Sequence, residues 1–290
     1  MTKTSIQELH EWLSQLQALV EAKTCKSPAF LRPFHLATLA LVLKGQRAAE
    51  VGIPDHLMDY ANRMHLWQAI GLKPPASAGR ERDSSGRFLP VEPLVSRDAV
   101  NECSKRLAAM TDQADLDKRS QQSLDTSVSE LVDNCFAHAG LVEPHLHGVA
   151  CAQLWLKGNL GQIAIADRGM GIRRSLENAE TEEIRGRVRS SNSCELATEL
   201  GVTSKPSHHA GYGLALARQL MHQNGGTLMV VSGQEWFCGT GNSTHSGDRG
   251  VNWPGTLIVC EFNTERPLRV SEVYASWPPV RGYTNDDFDL

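Results

Sequence analysis

Two glycine-bearing turns, each set where one kind of segment gives way to another, constrain this chain more than any other feature. The first follows the apolar run Ile163-Ala164-Ile165-Ala166 and reads Asp167-Arg168-Gly169-Met170-Gly171-Ile172. The run predicts a strand over residues 162–166, and the DxGxG pattern that follows its acidic residue is by itself compatible with an ordinary strand-to-helix turn. The second reads Ala210-Gly211-Tyr212-Gly213-Leu214-Ala215-Leu216, a GxG opening a helix predicted over residues 213–223. Glycines there leave backbone N–H groups free to face an anion at the positive end of the helix dipole, and a phosphate cradle is the natural reading. The chain has neither GxxxxGKS/T nor a GxGxxG after a strand, so the P-loop and the dinucleotide fingerprint are both absent.

Upstream lies a helix predicted over residues 118–139. On helical spacing Leu124, Val128, Leu131, Val132, Cys135 and Ala139 share one apolar arc, which is the core face. Glu130, Asn134 and His138 follow one another at four-residue spacing along a neighbouring polar stripe. A carboxylate above a carboxamide and an imidazole is either a site edge or a solvated helix face with local hydrogen bonds.

The order of these elements is more specific than any one of them: ExxxN on a helix, DxGxG after a strand, GxGLAL opening a helix, and Pro254-Gly255-Thr256 starting a final strand. This ordered set resembles the GHKL superfamily, the ATP-binding fold of the gyrase B subunit, the MutL proteins, the ninety-kilodalton heat-shock chaperone, histidine kinases and anti-sigma-factor serine kinases. The likeness covers about residues 91–263. It implies a two-layer α/β sandwich with a mixed, mostly antiparallel sheet and helices on one face, binding ATP and Mg2+. It also implies roles. Glu130 matches the general base of the hydrolytic members, and Asn134 the asparagine that holds magnesium. Asp167 matches the acceptor of the adenine amino group, with Gly169, Gly171 and Ile172 beside the nucleotide. Gly211, Tyr212, Gly213 and Leu214 match the second glycine loop, and Thr256 the hydroxyl residue near the base of the adenine pocket. Asp133 precedes the asparagine as in gyrase-like members, and His138 resembles a histidine of the anti-sigma kinase branch. The chemistry is consistent: magnesium favours oxygen donors, and a carboxylate one water away from the terminal phosphate can deprotonate the nucleophile.

Residues 201–210 correspond to the mobile ATP lid of the family, where Lys205, His208 and His209 are candidates for phosphate contacts. The 28 residues after Phe262 leave little room for the transducer domain of gyrase and MutL proteins, so a clamp-type DNA machine is not expected. His10-Glu11 lacks the rest of a phosphoacceptor helix. Three activities fit: slow ATP hydrolysis with nucleotide state controlling a protein partner, protein serine/threonine kinase activity of the anti-sigma type, or nucleotide sensing without turnover. The protein partner is unidentified, and a homodimer is compatible with each.

Ahead of this region, residues 1–75 read as a small α/β unit. It has an amphipathic helix over 6–22, an apolar run at 34–43, a short strand at 51–53 and a helix over 56–70. Its pattern loosely resembles STAS-like domains. A Pro-, Ala-, Gly- and Ser-rich stretch suggests a linker at 76–90, followed by the ATP-type domain over 91–265 and a tail over 266–290. Residues 233–255, rich in Gly, Ser, Thr and Asn, read as an excursion between the last two strands.

Composition limits the alternatives. With 290 residues, 41% hydrophobic and 21% charged, the chain is long enough for two domains and excludes wholesale disorder. A net charge of −4 supplies no footprint for duplex DNA or anionic lipid. No run approaches the ~20 apolar residues of a membrane span, and the start lacks the layout of an export signal, so cytoplasmic residence is expected. The seven cysteines form no CxxC pair, which argues for core residues rather than a disulfide framework or zinc ribbon.

Overall fold

Burial along the central strand explains the layering. The computed structural model describes residues 3–22, 24–44, 50–53, 55–76, 78–79, 86–114, 116–138, 146–207 and 210–278. Five strands form one sheet in the order β3-β4-β5-β7-β6, every neighbouring pair antiparallel: β3 (Phe88–Leu94), β4 (Gly148–Trp155), β5 (Leu160–Ala166), β6 (Thr227–Thr240) and β7 (Ser243–Asn263). Every residue of β5 is buried, which requires cover on both faces of the sheet.

The strand period of two divides the side chains between two cores. Ile163 and Ile165 of β5, with Val230 of β6 and Ile258 of β7, pack under α5 (Asp98–Asp112), α6 (Lys118–His138), α10 (Gly213–Asn224) and α11 (Val270–Ser276). Ala164 and Ala166, with Val231 and Val259, face α1 (Ile6–Ala22), α2 (Pro33–Lys44), α3 (Asp55–Arg63) and α4 (Leu66–Ala69). From Pro33 to Val42 every residue of α2 is buried, as befits a helix apolar on all sides. The small side chains of Ala164 and Ala166 let it lie close.

The molecule is therefore mixed α/β, but helices cover both faces of the sheet rather than one. Among the described residues the N-terminal segment forms a two-stranded parallel pair, β1 (Thr24–Lys26) with β2 (Glu50–Gly52), and its helices share their core with the sheet. The small α/β unit read from residues 1–75 thus shares a core with the sheet. Buried polar groups reinforce the junction. Glu261 on β7, fully buried, accepts the Thr4 N–H at 3.0 Å, the Thr4 hydroxyl at 2.6 Å and the Gln162 amide at 2.7 Å.

Four further expectations change. The helix expected over 56–70 breaks at His65, whose φ of 57° separates α3 from α4. β3 starts at Phe88, inside the stretch read as linker. Residues 233–255 form no excursion: β6 and β7 stay paired to Thr240↔Ser243 across two irregularities near Gly233, anchored by fully buried Phe237. Within the expected tail, Leu268 and, on α11, Val270 and Val273 pack into the core. Between β5 and α10, three short helices not anticipated from the sequence, α7 (Ile172–Glu177), α8 (Glu182–Ser190) and α9 (Ser193–Leu196), enclose a satellite core around Leu176, Ile184, Val188 and Val202.

Candidate functional site

The apolar arc of α6 seats that helix on the sheet: Leu124, Val128, Leu131, Val132 and Cys135 are all buried. With that face fixed, Glu130, Asp133 and Asn134 turn to the wall of a cavity of about 320 Å3. Asp133 stands at its edge and also pairs with Arg97 at 2.7 Å, both side chains substantially exposed. The side chain of His138 lies outside the described residues, as do His208 and His209.

The floor comes from the end of β5. Asp167 is buried, and its Oδ1 accepts the Gly169 N–H at 2.7 Å, closing the turn over two residues. Its own N–H donates to the Thr256 carbonyl at 2.8 Å, which extends the pairing of β5 with β7. Gly169 thus serves the turn, while Gly171, Ile172 and Thr256 line the cavity. Glycine is required next to Thr256: Gly255 has φ +93°, and a Cβ there would stand 2.4 Å from the Asp167 carbonyl oxygen. Ser232 of β6 locks the turn, its Oγ accepting the Ile172 N–H at 2.8 Å while its hydroxyl donates to the Gly255 carbonyl at 2.7 Å.

Burial pushes the Asp167 carboxyl up to about 7, against the opposing pull of the Gly169 N–H and the Thr256 N–H and hydroxyl. The same carboxyl lies among the residues that line the cavity.

The opposite wall is the start of α10. Gly211, Tyr212, Gly213 and Leu214 all line the cavity. Gly211 has φ +73° and lies so close to the Gly201–Val202 backbone that a Cβ would come within 2.8 Å of it. Gly213 faces α6: a Cβ there would stand 3.1 Å from the Asn134 amide nitrogen and 3.4 Å from the Glu130 Cβ. The glycine loop and the polar stripe of α6 are thus brought together.

Lys205 is not among the residues lining the cavity, and its Nζ donates to the Ala137 carbonyl at 2.7 Å, near the end of α6. The structure adds residues that sequence reasoning passed over. Ser175 and Ser204, both lining the cavity, bond to each other at 2.9 Å, and Tyr274 reaches the cavity from α11. The only signal for Ser175 was its place four residues after Gly171; for Tyr274 there was none. Among the described residues no group of three His, Cys, Asp or Glu side chains is arranged to hold a metal ion, and no helix is long and apolar enough to cross a membrane.

No protein-family model matches the chain, and no curated protein matches it.

Proposed function

We propose that this chain is an ATP-binding protein of GHKL type that takes Mg-ATP into the cavity, hydrolyses it slowly and uses nucleotide state to change a contact with a protein partner. The observation that carries this reading is the convergence on one cavity of four segments far apart in the chain: the Glu130–Asn134 stripe, the Asp167–Ile172 turn, the Gly211–Leu214 loop and Thr256. Asp167, buried at the floor, offers an acceptor for the adenine amino group. The N–H groups at the start of α10 meet the phosphates at the positive end of the helix.

The residues present fit a magnesium ion held largely by phosphates: the wall has oxygen donors in Asn134 and the flanking Glu130 and Asp133, and magnesium keeps phosphates and waters as its other ligands. When bound, it would offset charge on the phosphate oxygens. Glu130, exposed at the rim, takes the proton of the water that attacks the terminal phosphorus; the bond to the β,γ-bridging oxygen breaks, giving ADP and phosphate.

Calorimetry and release of labelled phosphate test the reading. Asp167→Asn should weaken ATP binding about tenfold or more, the worth of one buried hydrogen bond to a charged group. Glu130→Ala should keep binding and lose phosphate release. Unchanged affinity in Asp167→Asn would remove the adenine assignment. Label arriving on a partner protein instead of in free phosphate would turn the reading towards a kinase.

A further inference from the structure

One charge of the β6–β7 hairpin is turned inward at a break in the ladder. The pairing of the two strands runs without a slip from Thr240↔Ser243 to Glu235↔Asp248 and resumes at Gly233↔Trp253. Gln234 therefore stands alone opposite residues 249–252, a bulge that Gly233 accommodates with φ +61°. Arg249 opens the longer side of this bulge and is only 8% exposed, although Asp248 and Gly250 on either side of it face solvent.

The Arg249 guanidinium has five N–H donors and makes one bond, from Nη2 to the Gly233 carbonyl at 3.3 Å. Its Nε and Nη1 are buried and meet no acceptor among the described residues. The carboxylates of the neighbouring segments are committed elsewhere: Glu235 to Arg173 and Ser193, and Glu195 to the Ser246 hydroxyl at 2.6 Å. Trp253, the register partner of Gly233, is itself buried with an indole N–H that has no acceptor among the described residues. Burial pushes the Arg249 guanidinium down to about 10, against the opposing influence of Cys194, so the group is still charged at neutral pH. An ion taken out of water needs a counter-charge and filled hydrogen bonds.

We propose that Arg249 forms a buried anion site in the bulge, its Nε and Nη1 donating to a small inorganic anion that supplies the counter-charge. Donors without acceptors select an anion over a cation, and the depth of the group favours a small one. Water alone would fill hydrogen bonds and leave the charge unbalanced. Gly233 follows Ser232, which locks the Ile172 N–H and the Gly255 carbonyl at the cavity, so the ion braces the strand behind the candidate site. Nothing in this site depends on the ATP reading.

Chloride is the probe. At constant ionic strength, replacing the bulkier gluconate by chloride should raise the unfolding midpoint of the parent protein by about 2–4 °C and then saturate. The chloride NMR line should show a matching, saturable broadening. Arg249→Met, similar in length and uncharged, should lose both responses, and in gluconate its midpoint should equal or exceed that of the parent because the unbalanced charge is gone. A parent protein without saturable broadening, or equal chloride responses in the parent and Arg249→Met, would overturn the proposal. Should Arg249→Met fail to fold, Arg249→Lys keeps the charge and loses the planar fork; it should bind chloride about tenfold more weakly, and unchanged binding would be equally fatal.

Discussion

Gly213 and Asn134 face each other so closely that a Cβ on the glycine would stand 3.1 Å from the asparagine amide nitrogen. The glycine does not owe its place to a left-handed backbone, since Gly213 is not among the residues with positive φ. Alanine at a helical position is intrinsically better by up to about 1 kcal/mol. Gly213→Ala should therefore leave thermal stability unchanged or slightly raised, while the displaced Asn134 and Glu130 side chains narrow the cavity and weaken nucleotide binding. A melting curve and a binding isotherm on the same sample separate the two effects; loss of both together would mean that the glycine serves the fold.

Asp167 gives a pH dependence of known sign. Its folded value is raised to about 7 by burial, against an ordinary value of 3.8. Between these limits the folded state holds the proton more tightly than the unfolded state does. The stability contributed by the neutral carboxyl is complete below about pH 4 and declines as pH rises through about 7. Asp167→Asn, which stays neutral, should flatten the dependence of the urea midpoint over this window and raise stability at pH 8 relative to the parent. If a ligand amino group recruits the ionised carboxylate, affinity for ATP should rise from pH 6 to pH 8.

Arg173 and Glu235 tie the segment between β5 and α10 to the β6–β7 hairpin. The guanidinium donates to both carboxylate oxygens, at 2.8 and 2.6 Å, and to the Val188 and Ser191 carbonyls. Ser193 adds its hydroxyl at 2.5 Å and its N–H at 3.1 Å. Burial acts to raise the Glu235 carboxyl, but the Arg173 and Ser193 donors overcome it and hold the group below its usual range. That stability is present above the unfolded value of about 4.5 and is lost as pH falls through the folded one. Arg173→Ala leaves a largely buried carboxylate with Ser193 alone and should cost about 2–3 kcal/mol, reduced from the fully buried case because Arg173 is partly exposed. Denaturant unfolding measures the loss, and limited proteolysis should show earlier cleavage in residues 182–200.

What was legible in the sequence and what was not have separate physical causes. The stripe on α6, the Asp167 turn and the Gly211–Gly213 loop follow from local chemistry: helical period, a carboxylate that closes its own turn, and glycines where a Cβ has no room. Their meeting in one cavity is a matter of topology. The β6–β7 hairpin was misread because its Gly, Ser, Thr and Asn residues resemble a loop, whereas Trp236 and Phe237 anchor it to opposite cores. The helices α7 to α9 span only six, nine and four residues, too short for a period to emerge. Tyr274 lies far along the chain from Glu130, and no local pattern announces its return to that wall.

The N-terminal helices decide how much of the chain can stand alone. Leu9, Leu13 and Leu16 of α1 and the whole apolar length of α2 are buried against Ala164, Ala166, Val231, Leu257 and Val259. Removing residues 1–75 would bare that face of the sheet together with Glu261, which loses both Thr4 donors and keeps Gln162. A single apolar side chain taken from such a core is worth about 1.5–3 kcal/mol, so the loss of a whole layer exceeds the 5–15 kcal/mol by which folded domains are stable. A fragment of residues 86–278 should therefore aggregate or bind hydrophobic dyes, and adding residues 3–76 in trans should restore solubility and a cooperative unfolding transition. A fragment that melts cooperatively without them would show that the sheet closes its second face by other means. Folding of the fragment together with loss of the ATP binding proposed above would mean that the shape of the cavity depends on the N-terminal layer.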